Sequence, residues 1–166
     1  MQQYPELSHA ATRWLLLHDE AKQYTTWMRH WLQALAPELL ARRGVGPVSA
    51  TQLILAAGAN PDRLVSEKAL AALSGVAPIP ISSGRIQDRY RLSRGGDRTA
   101  NQAFWRIAFH RYYDTQDLQT QLYKAKRTAL GDKRPTIIRL LKRAIVRELF
   151  RDLQTITNRL ATLDNT

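Results

Sequence analysis

The sequence predicts a mainly α protein: a long N-terminal coiled-coil-like helix, then a helical domain with a helix-hairpin-helix-like element and a basic irregular loop or short ribbon. Three observations carry this reading. Apolar residues recur every three and four positions through the first 35 residues, with no Gly or Pro between Glu6 and Ala36. Beyond that point Gly and Pro fall where helices start and stop. Only the stretch 76–92 reads as extended. With 166 residues and 44% hydrophobic composition the chain can bury a core and is not of the disordered class. The division expected is an arm over 1–37 and a domain over 38–163.

Leu7, Ala10, Trp14, Leu17, Ala21, Tyr24, Met28, Trp31 and Leu35 form the seam of the first helix. Pro5 and Ser8 mark its start and Pro37 its stop. Such a stripe needs a partner, which could be a second chain, the C-terminal helix, a region outside this sequence, or the domain itself. Trp14 and Trp31 fit poorly into a tight two-stranded dimer. Gly46-Pro47 opens a helix that Gly58 closes, and Ser66 caps a short helix over 67–73 that ends at Gly75. Pro78 and Pro80 deny helix to the following run. Residues 85–92 alternate loosely, as a short ribbon would. Asp97 caps a helix over 98–113 with Ala103, Ile107 and Ala108 on its apolar side. A further helix spans about 117–130 and is closed by Gly131. Pro135 opens the last, with Ile138, Leu141, Ile145, Leu149, Ile156 and Leu160 at core spacing.

Charge is the first functional clue. The net is +11, and residues 85–151 hold 17 basic against six acidic residues, so the whole excess lies there. Thirteen of those 17 are arginines, whose planar fork suits bidentate phosphate contact. A domain that concentrates charge in this way faces a polyanion, unless the charge only keeps it soluble. An acidic membrane surface is disfavoured, because the aromatics do not interleave with the basic residues as an amphipathic anchor requires. No apolar run is long enough to span a bilayer, no signal peptide is visible, and there is no cysteine. A cytoplasmic chain is the expectation.

Two places could carry chemistry. Arg42-Arg43-Gly44-Val45-Gly46-Pro47 resembles the hairpin of the helix-hairpin-helix motif, whose backbone N–H groups meet a DNA phosphate at a helix start; the bland alternative is a tight turn. Ser82-Ser83-Gly84-Arg85 places a hydroxyl beside a glycine after two prolines, with Arg85, Arg89, Arg91, Arg94 and Arg98 following. Phosphoryl transfer needs an aligned oxygen nucleophile and positive donors, although a Ser-Gly in a basic loop also serves as a turn with a phosphate contact. His9, His18, His30 and His110 do not cluster at metal-ligand spacing. Asp88 and Asp97 sit among arginines and suit pairing and capping. No metal site and no cofactor are expected in this chain.

Arg43-Gly44-Val45-Gly46-Pro47, Asn60-Pro61-Asp62-Arg63-Leu64, Leu73-Ser74-Gly75-Val76-Ala77-Pro78, Ser82-Ser83-Gly84, Arg91-Leu92-Ser93-Arg94-Gly95-Gly96-Asp97-Arg98 and Ile138-Arg139-Leu140-Leu141-Lys142-Arg143 occur in one order and spacing. Together they resemble the C-terminal domain of the DEDD-type insertion-sequence transposases, the IS-one-ten family, over about residues 38–151. The resemblance implies a catalytic serine, which is Ser83 here with Ser82 as second choice, acting on DNA. It implies a RuvC-like nuclease domain elsewhere with acidic residues that bind divalent metal, Mg, and in some members a structured guide RNA. It also implies that the N-terminal helix joins a second copy or a full-length transposase. No RuvC-like fold or acidic set is readable in these 166 residues, so a truncated or split transposase is expected. The rivals are a non-catalytic nucleic-acid-binding regulator and a coiled-coil assembly protein.

Overall fold

The computed structural model describes residues 4–80, 90–92 and 95–164. Among them are seven α-helices: α1 (Pro5–Leu35), α2 (Pro37–Leu40), α3 (Pro47–Ala57), α4 (Glu67–Leu73), α5 (Arg98–Tyr113), α6 (Leu118–Ala129) and α7 (Arg134–Asp164). A 3₁₀ turn, Pro61–Leu64, precedes α4. An antiparallel ribbon pairs β1 (Pro78–Pro80) with β2 (Tyr90–Leu92).

Local chemistry accounts for most boundaries. Pro5, Pro37, Pro47 and Pro61 stand in the first turns of their helices, where a missing N–H costs nothing. Ala36, just before Pro37, leaves helical geometry, and the chain turns from α1 into α2. Side-chain oxygens of Ser66, Asp97 and Asp117 accept from the backbone N–H groups of Ala69, Ala100 and Thr120. The Ser66 and Asp97 caps are those the sequence predicts, whereas Asp117, expected as the first residue of its helix, stands one position before it as the cap.

The core forms where α3, α5 and α7 meet. Leu53, Phe104, Ile107, Ile137, Ile145, Leu149 and Leu153 are fully buried there, with Leu39 and Leu64 closing its ends. Ala103 and Ala108 let α5 approach its neighbours closely. Of the core spacing expected in the last helix, Ile138, Leu141, Ile145, Leu149 and Ile156 are buried and Leu160 is half-buried.

Two expectations need correction. The α1 seam joins the domain only at its end, and not through Trp31, which is 72% exposed; Leu32 beside it is 4% exposed. Met28 and Leu35 are half-buried and α1 meets α3 there, whereas Leu7, Trp14, Leu17 and Tyr24 are exposed. A strict heptad drifts around a straight helix, so the buried stripe has moved on by one residue by the last two turns. The ribbon, among the described residues, takes only 90–92 from the expected stretch 85–92. Its first strand is the proline run itself, with Pro78 opposite Leu92, Ile79 opposite Arg91 and Pro80 opposite Tyr90. Proline has no N–H, so a two-stranded ribbon that needs few ladder bonds is where this run can pair.

Candidate nucleic-acid interface

The expected serines fall in the sequence between α4 and α5, and the described residues at the root of that segment are tightly packed. Gly75 and Gly96 both have positive φ, +61° and +96°. A Cβ on Gly96 would lie 2.5 Å from the Gly75 nitrogen and 2.8 Å from the carbonyl oxygens of Ala72 and Leu73. Only glycine allows this crossing of two backbones. The Asp97 N–H donates to the Leu73 carbonyl at 2.6 Å, tying the start of α5 to the end of α4. Asn101 then donates to the carbonyls of Ser74 (2.8 Å) and Gly75 (3.1 Å), and its own oxygen accepts from the Lys142 ammonium at 2.8 Å. The root is therefore held by α4, α5 and α7 together. Ser82, Ser83, Gly84, Arg85, Arg89 and Arg94 lie outside the described residues. Arg91 is the central residue of β2, and Arg98, the first residue of α5, is exposed beside the root.

In the turn before α3, expected as a phosphate hairpin, both arginines have partners within the domain. Arg42 grips Asp152 with two bonds, 2.7 and 3.0 Å, and that carboxylate raises the guanidinium's pKa further. Arg43 binds Asp114 at 2.8 Å. The Asp114 carboxyl is held below its usual range, first by the Gln116 N–H and also by Arg43. Gly44 faces inward: a Cβ there would meet Arg111 at 3.3 Å. Arg111, 8% exposed, donates to the Arg43 carbonyl and forms a two-bond pair with Glu148. Two of the expected phosphate ligands thus hold the turn to α5, α7 and the loop between α5 and α6. Gly46 alone stands open, with nothing within 4 Å of an added Cβ. Partners 110 and 71 residues away claimed these arginines, and no local spacing foretells that.

A family model described as the Transposase IS116/IS110/IS902 family matches residues 36–124, over half the chain. The chain belongs to this transposase family. No curated protein matches it.

The transposase match begins at Ala36, so it takes in the Gly44–Gly46 turn, the serine segment, α5 and most of α6. One feature of α5 escaped sequence reasoning. Trp105, Phe109 and Tyr113 stand at four-residue steps opposite the buried face, with successive ring centroids 4.8 Å apart. They are 44%, 36% and 48% exposed. The four-residue recurrence was legible, but only the alanine and isoleucine face of α5 counted as pattern. Among the described residues, Arg98, Arg106, Arg134, Arg139 and Lys142 near this transposase surface have no carboxylate partner, whereas Arg111, Arg127, Arg143 and Arg147 do. No three His, Asp or Glu side chains among the described residues gather as a metal site. No helix among them is long and apolar enough to cross a membrane.

Proposed function

We propose that this transposase-family chain binds DNA and transfers strands through Ser83. The Ser83 Oγ forms a bond to a backbone phosphorus as the bond from that phosphorus to one sugar oxygen breaks. The serine proton leaves to a base, and the released sugar oxygen takes up a proton. Reversal by another sugar hydroxyl rejoins DNA and frees the serine. The arginines from 85 to 98 meet the charge on the non-bridging oxygens. Metal ions belong, in this reading, to a nuclease domain of the transposase that acts with this one.

One observation carries the reading. The serine segment is rooted in a glycine crossing braced by Asn101 and Lys142, and among the described residues Arg98 and Lys142 at that root have no carboxylate partner. A serine on such a mount can be aimed, and unpaired positive charge awaits an anion. The N-terminus of α3, uncapped by a side chain and open beside Gly46, is a second place for a backbone phosphate to dock.

The test combines the chain with a nuclease domain of the same family and a DNA substrate, then looks for a covalent protein–DNA adduct after denaturation. The adduct should form, vanish with Ser83→Ala and survive Ser82→Ala. If Ser83→Ala retains it, the assignment is wrong. A salt titration separates DNA binding from a helix-mediated assembly role, because neutralising Z phosphates on duplex DNA gives a log–log slope near −0.9Z and an assembly protein gives none.

A further inference from the structure

The aromatic ladder of α5 has a shape and a charge environment that the serine chemistry does not use. Arg98, Gln102, Trp105, Phe109 and Tyr113 fall on one stripe of the helix, at steps of four, three, four and four residues. The stripe starts at the root of the serine segment and runs about 22 Å along α5 at 1.5 Å per residue. On one side lies an open shelf of about 630 Å³ with Arg106 and His110. On the other is a groove of about 280 Å³, walled by Trp105 and Phe109 from α5 and by Arg134, Arg139 and Lys142 from α7.

Lys142 makes this groove unusual. It is 4% exposed, and among the described residues its ammonium has one partner, the Asn101 oxygen. An ammonium has three donors, and a buried charge without a counter-ion costs free energy that an arriving anion would recover. Burial, and the nearby Arg139 charge, lower its pKa. Arg134 and Arg139 reach the same space; Arg134 donates to the Tyr113 hydroxyl at 2.9 Å, which leaves most of its fork unused.

We propose that this groove and ladder bind an unpaired stretch of nucleic acid, with bases stacked against Trp105 and Phe109 and phosphates on Arg134, Arg139 and Lys142. Exposed rings beside cations are what an unstacked base and its phosphate require together. A duplex keeps its bases inside its own stack, where the rings cannot reach them. An apolar helix of another protein would cover the rings but leave the Lys142, Arg134 and Arg139 charges without anions. For its class of partner the inference rests on the nucleic-acid reading above, and it is independent of Ser83.

The experiment uses the full chain carrying Ser83→Ala and short fluorescein-labelled oligothymidylate, oligouridylate and duplex DNA, read by anisotropy across a salt series. One or both single strands should bind, and the tighter one names the source as DNA or RNA. Trp105→Ala should weaken that strand by about five- to a hundredfold, the range of one lost base stack, and leave the duplex nearly unchanged. Trp105→Phe, which keeps a ring, should stay within about threefold. Arg139→Gln should lower the single-strand salt slope by about 0.7. Far-UV circular dichroism confirms that each variant is folded, as the exposure of both side chains favours. The proposal is overturned if neither strand binds, or if Trp105→Ala weakens strand and duplex alike. It is equally overturned if ring variants change the oligomeric state but not strand affinity. Strand binding without a serine adduct would sink the nucleophile assignment and leave this inference standing.

Discussion

Substituting Gly96 with alanine should be among the costliest single changes in the chain, and the reason is geometric. Gly96 sits at φ +96°, where an L side chain is strained by roughly 1–2 kcal/mol. Its Cβ would also be 2.5–2.8 Å from three backbone atoms of Ala72, Leu73 and Gly75. Backbone cannot swing aside as a flexible side chain does, so the start of α5 must move, which adds about 1–3 kcal/mol. The expected total is about 2–5 kcal/mol, a large part of an ordinary domain stability of about 5–15 kcal/mol. Gly131 is the control, with φ +83° and nothing within 4 Å of an added Cβ. Gly131→Ala should therefore show only the conformational part, about 1–2 kcal/mol. Gly46→Ala lacks both terms and should stay within about 1 kcal/mol. Urea unfolding followed by circular dichroism gives all three, compared at a common m-value. Equal losses at Gly96 and Gly131 would refute the claim that backbone crossing, rather than positive φ alone, demands glycine at the root.

The other expectations concern charge. Because burial lowers the Lys142 pKa, the folded state releases that proton before the unfolded state does; stability should rise with pH between the lowered value and the usual 10.5, and Lys142→Met should abolish this rise. The same variant removes an uncompensated ammonium but leaves the Asn101 oxygen without its donor, so near neutral pH the two effects should offset to within about 2 kcal/mol, and a larger loss would contradict the account of a costly buried charge. Arg111→Ala should cost about 2–4 kcal/mol, since it strands Glu148 and the Arg43 carbonyl, while Arg43→Ala, at an exposed pair, should cost under about 1 kcal/mol; equal losses in thermal unfolding would show the two pairs misjudged. In duplex DNA titrations Arg98→Ala should reduce the salt slope by about 0.9 and Arg43→Ala should leave it nearly unchanged, because Asp114 already holds Arg43. A matching drop for both would restore Arg43 as a phosphate ligand.

What could be read without coordinates was what a few adjacent residues decide. Prolines in first turns, the oxygens of Ser66, Asp97 and Asp117, and glycines at 58, 75 and 131 act within one turn of their own position, so helix ends were legible. The concentration of arginine over 85–151 and the motif order that resembles the transposase family are also properties of the linear chain. Tertiary structure decided how the charges are used. Arg42 and Arg43 pair with Asp152 and Asp114 because folding brings distant elements beside the turn, so a phosphate there would meet guanidinium groups already engaged with carboxylates. Whether the α1 seam was covered depended on where α3 lies, and only the last turns of α1 reach it. The ribbon joins residues on both sides of the serine, and at its root two glycines let the chain leaving α4 meet the chain entering α5. The groove facing Trp105 exists only because α7 lays Arg134, Arg139 and Lys142 along α5. Capping is a short-range contact, whereas salt-bridge choice and surface shape depend on distances that only the packed helices set.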